Sequence, residues 1–320
     1  MTELLKASNL SVEYAVKKER KSGLDNVSLS IPSDKYTLGI VGESGSGKTT
    51  LGMSLMNLIS RPGEITSGIV EYDGNDILKM SESKLMSYRW KEVSMVFQSA
   101  MNSLNPVKRA ADHITEVIRE HSPGVSRVEA REKALMLLSE VGIEPNHADD
   151  FPHELSGGMR QRVVIALALA LSPKIVIADE PTSALDVVVQ RQILALLRKE
   201  VAERGLSLVF ITHDLPILAG LVDNIAVMFA GEIVEKGSAE KVFTHPLHPY
   251  TEELLNSLLT LDAKEPPKQS RELKERNRPI ATIGCKYQNR CKYAFARCRT
   301  ERPLLKDAGN GREVSCHKYN

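Results

Sequence analysis

Gly42, Glu43, Ser44, Gly45, Ser46, Gly47, Lys48 and Thr49 follow one another in an order suited to holding a chain of phosphates. The glycines let successive backbone N–H groups face one concavity, and the positive end of a following helix adds to the field there. A lysine after the last glycine can reach the outer phosphates of a nucleotide, and the hydroxyl after it can take a position on Mg2+. A solvated glycine-rich turn would need neither of the flanks this segment has. Residues 36–41 are an apolar run of buried-strand length, and residues 50–58 carry leucine or methionine at 51, 53, 55, 56 and 58, which predicts a helix beginning at Thr50.

Further chemistry is marked along the chain. Residues 174–180 predict a buried strand delivering Asp179 and Glu180 at its C-terminal end, where ligands gather in open α/β sheets, and Pro181 stops it at once. Ser156, Gly157 and Gly158 stand at the start of an apolar helix; they could form a second anion site from backbone N–H groups, or Ser156 could be an ordinary helix cap. Residues 92–98 predict a strand that ends on the polar Gln98, and residues 206–212 a strand that ends at His213. Tyr14 is either a plain strand residue or an aromatic that stacks on an adenine ring ahead of the phosphate loop.

The elements that must position these groups alternate. Strands are expected at residues 4–14, with Val12 and Tyr14 on one face, at 27–31, 68–74, 224–229 and 232–235, with a charged hairpin tip at 17–23. Helices are expected at 110–121, 127–141, 157–171, 186–201 and 216–222. The order predicts a parallel α/β core with an antiparallel supplement and a helical insertion at 99–155. At 320 residues, one large core and a smaller unit fit. With 42 Lys+Arg against 41 Asp+Glu the net charge is +1, so no strong field draws the whole chain to nucleic acid or lipid. Residues 264–302 are the exception, with twelve Lys/Arg and four Asp/Glu; a solvated face or nearness to anionic headgroups is expected there, not nucleic acid. Residues 264–270 read as a linker. The longest apolar run, nine residues at 163–171, is about half of a bilayer crossing, and residues 1–9 lack a signal-peptide pattern. A soluble, cytosolic chain is expected.

Together these motifs resemble the ATP-binding subunits of ABC transporters, and the resemblance runs through nearly the whole chain. Gly42 to Thr49 resemble the Walker A motif, Gln98 the Q-loop, residues 155–161 (LSGGMRQ) the signature motif, and residues 175–179 Walker B. Residues 183–186, ending on Asp186, resemble the D-loop, and His213 the H-loop. The resemblance implies a P-loop NTPase fold of ABC ATPase type: a RecA-like core with an antiparallel β subdomain and an α-helical subdomain near 99–160, all within 1–262, followed by a C-terminal extension at 263–320. It implies that Lys48, with Thr50 beside the loop, binds ATP, and that Thr49, Gln98 and Asp179 hold Mg2+. Glu180 would polarise the attacking water, with Lys48, Gln98 and His213 completing the catalytic set. Two such subunits would pair head to tail, so that Ser156, Gly157, Gly158 and Asp186 of one close over the ATP of the other. Residues 97–106 and 245–251 are similar to the oligopeptide/dipeptide group of importers, implying two membrane-spanning permease subunits, an external solute-binding protein and a place on the cytoplasmic face of the membrane. In that reading residues 99–106, together with the helical insertion, dock a cytoplasmic helix of the permease. Rival readings are a soluble ABC ATPase of translation or DNA repair, and an iron-sulfur assembly or sensing subunit whose ATPase is secondary. The cargo is not legible, because the ATPase never touches it.

Cys285, Cys291, Cys298 and Cys316 are the only cysteines. Their spacing lacks the close pairs usual for zinc, although His317 could complete a mixed site, and disulfides would need an oxidising compartment. Unligated thiols are a further reading. Four thiols in a small basic segment with little apolar content suit a [4Fe-4S] cluster, its charge offset by Lys286, Arg290, Lys292, Arg297 and Arg299. The resemblance points the same way, since some peptide importers carry such a cluster.

Overall fold

The computed structural model describes residues 3–16, 19–32, 35–98, 103–259 and 279–319. In chain order the strands and helices are β1 (Glu3–Val16), β2 (Glu19–Pro32), β3 (Thr37–Val41), α1 (Lys48–Leu55), β4 (Gly63–Tyr72), β5 (Asn75–Asp76), α2 (Glu82–Lys91) and β6 (Val93–Val96). They continue with α3 (Ala110–His121), α4 (Arg127–Glu140), α5 (Gly157–Leu169), β7 (Ile175–Asp179), α6 (Val187–Arg204), β8 (Ser207–Thr212), β9 (Asn224–Phe229), β10 (Glu232–Ser238) and α7 (Ala239–Thr244). The last elements are α8 (Pro249–Leu259), α9 (Ala296–Thr300), β11 (Lys306–Gly309) and β12 (Arg312–Val314). The chain forms two compact units and passes repeatedly between them: one takes in Ile31–Tyr36 and Asp76–Phe210, the other Glu3–Ser30, Thr37–Asn75 and Ile211–Asn320.

The second unit holds an antiparallel layer in which β2, β1 and β4 lie in that order, with β5 at the edge. Along β1 the buried residues are Leu5, Ala7, Leu10 and Val12, so the alternation changes parity midway. The cause is a bulge between Ser8 and Ser11, where Asn9 has φ +50° opposite Gly68 at φ +97°. A Cβ on Gly68 would lie 2.6 Å from the Leu10 Cα, so only glycine lets the strands meet there. β2 starts at Glu19, well ahead of the expected strand, so the predicted charged tip shrinks to residues 17–18, which lie outside the described residues.

The same unit carries strands in the order β11-β12-β10-β9-β3. β3 and β9 are parallel and, apart from Thr37 and Asn224 at their starts, apolar, as buried parallel strands are, while β9, β10 and β12 run antiparallel. The segment after residue 279 is thus more than loops: β12 extends the sheet edge through Glu235↔Val314 and Lys236↔Glu313. Glu235, fully buried, accepts from the Leu247 and His248 N–H groups at 2.9 Å each and pairs with Arg312 of β12.

In the first unit the strand order is β8-β7-β6, with β6 and β7 parallel. α3, α4 and α5 pack against one another there. α4 begins with a reciprocal cap, the Ser126 hydroxyl accepting from Glu129 N–H and the Glu129 carboxylate from Ser126 N–H. α2 was not foreseen from sequence: it buries only Leu85 and Tyr88 and kinks at Trp90, φ +77°, so it shows no sustained apolar face. The predicted linker at 264–270 lies outside the described residues.

Candidate nucleotide site and cysteine pocket

In the second unit the phosphate loop leaves β3 at Val41 and enters α1 at Lys48. A Cβ on Gly42 would come within 2.2 Å of the Met228 carbonyl oxygen, and one on Gly47, φ +101°, within 2.5 Å of the Gly23 carbonyl oxygen. Both positions therefore require glycine. Lys48, 5% exposed, folds back so that its Nζ donates to the carbonyls of Gly42 at 2.8 Å and Glu43 at 2.9 Å. Ser46 N–H donates to the Glu43 carbonyl at 3.1 Å and closes the turn. The Ser46 hydroxyl is buried and makes no hydrogen bond within the protein, which fits a loop built to receive phosphate oxygens. Ser44, Gly45 and Thr49 are exposed. Tyr14 is half-buried, its ring against Gly23 and Gly63 and its hydroxyl 3.2 Å from the Thr50 hydroxyl. His213, also in this unit, is exposed just beyond β8, and burial raises the carboxyl pKa of the adjacent Asp214 against the pull of the His213 charge.

In the first unit Asp179 ends β7 at 1% exposure. Glu180 follows at φ +46°, a left-handed conformation that costs a non-glycine residue of order 1 kcal/mol and is typically kept where function uses it. Gln98 Nε2 donates to Glu180 Oε2 at 3.3 Å, so two residues singled out from sequence meet. Ser156 caps α5, its hydroxyl accepting from Met159 N–H at 3.3 Å, and a Cβ on Gly158 would come 2.6 Å from Val189 of α6. Asp186 caps α6, Oδ1 accepting from the N–H groups of Val188 and Val189 at 2.9 and 3.0 Å. Its described contacts are those of a helix cap, and Gly157 beside Ser156 is half-buried.

Sequence reasoning missed a cluster that grips the loop from outside. Glu43 N–H donates to the Tyr250 hydroxyl at 2.9 Å, and Arg290 forks onto the Glu43 carboxylate at 2.9 and 2.7 Å. The same guanidinium reaches Glu253 at 2.9 Å and lies 5.4 to 5.8 Å from the ring centres of Phe229, Tyr250 and Tyr287. Burial works against the Arg290 charge, but the carboxylates of Glu43 and Glu253 outweigh it and hold its pKa above the ordinary value. Residues 290 and 43 are 247 positions apart, and no local pattern announces such a pair.

Cys285, Cys291, Cys298 and Cys316 line one cavity of about 270 Å3, with Tyr287, Tyr293, Phe295, His248 and His317 on its walls. All four are free thiols. Burial pushes the Cys285 thiol up to about 12 and also raises Cys291 and Cys316, with the neighbouring cysteines adding to it. Among the described residues no group of three His, Cys, Asp or Glu side chains is arranged to hold a metal ion. Four of the five basic residues expected to offset a cluster's charge are engaged elsewhere: Lys286 with Asp25 and Glu232, Arg290 as above, Lys292 with Glu252 and Arg297 with Glu301.

A glycine-tight phosphate loop between strand and helix, an acid pair at a strand end whose glutamate meets a glutamine, and a serine-capped glycine pair define an ATP-binding cassette. The chain belongs to the ABC transporter family: the family's sequence profile matches residues 24–183, and one described as the oligopeptide/dipeptide transporter C-terminal region matches residues 234–298. It is thus an ABC-type ATPase subunit. It is 40% identical over 325 residues to the dipeptide transport ATP-binding protein DppD of Escherichia coli (strain K12), spanning 98% of this chain and 96% of that one. To the oligopeptide transport ATP-binding protein AppD of Bacillus subtilis (strain 168) it is 39% identical over 322 residues, spanning 100% and 98%. Among solved structures, the ATP-binding cassette MJ0796, a dimer bound to ADP and Pi, matches with a TM-score of 0.66 at 32% identity, covering 73% of this chain and 98% of that one. Among the described residues no helix is long and apolar enough to cross a membrane.

Proposed function

We propose that the chain hydrolyses ATP as one of two paired subunits on the cytoplasmic face of a membrane, energising peptide import through two permease subunits supplied by an external binding protein. The observation that carries this reading is the match, over essentially the whole chain, to dipeptide and oligopeptide transport ATP-binding proteins. The second family region, at residues 234–298, separates it from a general-purpose cassette and from the soluble ATPase readings.

In this reading the backbone of Gly42, Glu43, Ser44, Gly45, Ser46 and Gly47, with the Lys48 side chain, cradles the phosphates, the Glu43 side chain taking no part; Thr50 supports the loop's far side, and Tyr14 stacks on the adenine. Thr49, Asp179 and Gln98 would offer Mg2+ the oxygen donors it takes besides phosphate oxygens and water; the ion would neutralise charge on the transferring phosphoryl group. Glu180 takes the proton of the attacking water, Gln98 keeps that carboxylate oriented, and His213 orients the water. Ser156, Gly157, Gly158 and Asp186 act towards the ATP of the partner subunit, using the N-terminal field of their helices.

The four cysteines, in this reading, hold a [4Fe-4S] cluster. What supports it is that all four thiols wall a single cavity of about 270 Å3. The cluster would tie the segments 285–298 and 316 together as a structural brace. Anaerobically purified protein should be brown, with about four irons per chain; colourless protein with stoichiometric zinc, or with no metal, overturns this part.

Transport is tested in cells lacking the gene. Uptake of labelled short peptides should fall and return with the wild-type chain but not with Glu180→Gln; unchanged uptake overturns the proposed cargo class.

A further inference from the structure

A carboxylate inside a phosphate-binding loop is an electrostatic liability. Glu43 stands between Gly42 and Ser44, in the turn that must accept a strongly anionic triphosphate, and like charges at such a distance repel. The structure engages that carboxylate from outside the loop. Arg290, its side chain 7% exposed, forks onto both Glu43 oxygens and is itself fixed by Glu253 and by the faces of Phe229, Tyr250 and Tyr287. Fork geometry of this kind fixes direction as well as charge. Tyr250, fully buried, adds a second hold through its hydroxyl on the Glu43 N–H. Arg290 belongs to the turn that contains Cys291, both N–H groups donating to the Tyr287 carbonyl, so the cysteine-bearing extension and the phosphate loop share one fastening.

We propose that Arg290 is a positioning residue for ATP: it neutralises Glu43 and turns it outward, and so makes the C-terminal extension part of the nucleotide site. The proposal rests on the reading of residues 42–49 as the ATP phosphate loop. Loss of Arg290 leaves a bare carboxylate facing the incoming triphosphate and weakens binding without touching the groups that activate water. Removing the Glu43 charge as well removes the repulsion.

Steady-state ATPase kinetics on the full-length chain, with binding of a fluorescent ATP analogue, test this. Arg290→Met should raise the KM for ATP about tenfold with kcat held within about twofold, and the increase should shrink as salt is added. The double variant Arg290→Met/Glu43→Gln should return KM to within about threefold of wild type, which a purely structural role for Arg290 would not produce. Arg290→Lys, which keeps charge and stem among the rings, should likewise stay within about threefold. A wild-type KM in Arg290→Met, a double variant as impaired as the single, or a Lys variant as impaired as the Met one would each overturn the proposal. Lys48→Ala separates the underlying reading: if it binds the analogue as wild type does, the loop assignment fails; if it loses binding while Arg290→Met does not, only the role of Arg290 fails.

Discussion

At the scale of single residues, Glu180 carries the most informative geometry. Its left-handed backbone and its hydrogen bond from Gln98 aim a carboxylate that a straight continuation of β7 would place elsewhere. Glu180→Gln keeps shape and removes the proton acceptor, so ATP turnover should fall by about 10^3-fold while ATP still binds and holds the paired form. Gel filtration with ATP and turnover assays check both halves, and wild-type turnover would remove Glu180 from the catalytic role. His248 is a second residue with a measurable consequence. It is fully buried and neutral, Nδ1 accepting from Tyr250 N–H at 3.1 Å, and burial, against a backbone hydrogen bond at Ser315, lowers its pKa to about 3. Because the folded value lies below the unfolded 6.5, its contribution is complete above pH 6.5 and is lost as pH falls towards 3. Between pH 7 and pH 5 that amounts to about 2 kcal/mol, so thermal or denaturant unfolding of His248→Gln should show a pH loss smaller by that amount. An equal loss in both proteins would assign the acid sensitivity to other groups.

At the scale of elements, β12 and β10 show how the extension is fixed to the sheet. Glu235 on β10 has no exposure, and its carboxylate is satisfied by Arg312 of β12 and by two N–H groups at the start of the turn before α8. Breaking a buried pair by removing one partner leaves an uncompensated charge, so Arg312→Met should cost about 3 to 5 kcal/mol. Pairing it with Glu235→Gln should recover part of the loss, and a double-variant cycle of unfolding free energies decides the matter; strict additivity would contradict the coupling. The bulge in β1 works on the same scale. A Cβ at Gly68 has no room against Leu10, and Gly68 holds φ +97°, so Gly68→Ala should destabilise the antiparallel layer by more than the order of 1 kcal/mol usual for a strained backbone.

For the whole molecule, the basic residues described within 279–302 read differently once folded. Lys286 and Arg302 both pair with Asp25 and Glu232, while Arg290 pairs with Glu43 and Glu253. Asp25 feels burial first, yet the two cations outweigh it and lower its pKa, and Glu232, buried deeper, is raised despite them. These three cations therefore fasten the described part of the extension to its own unit. The segment expected to meet the permease is residues 99–106, of which 99–102 lie outside the described residues. Ser99 lies outside the described residues, but a cysteine at Ser103 should cross-link to the permease in assembled transporter; labelling confined to other faces would argue against that docking site. Nucleotide state could reach it through Gln98, which contacts Glu180.

The sequence alone determined the phosphate loop with its strand and helix, the acid pair ending β7, the capped start of α5 and the family they mark. These depend on residue types within a few positions and on periodicity, which short-range physics sets. It named both Gln98 and Glu180, but only the folded chain brought the glutamine amide onto the carboxylate. Parity in β1 was not legible, because a bulge at Asn9 is paired with a glycine 59 positions away. Nor was the hold of Arg290 on Glu43, or the addition of β12 to a sheet edge. Such contacts carry no periodic signal along the chain; they exist because the sheet and the extension pack together, and packing is decided in three dimensions.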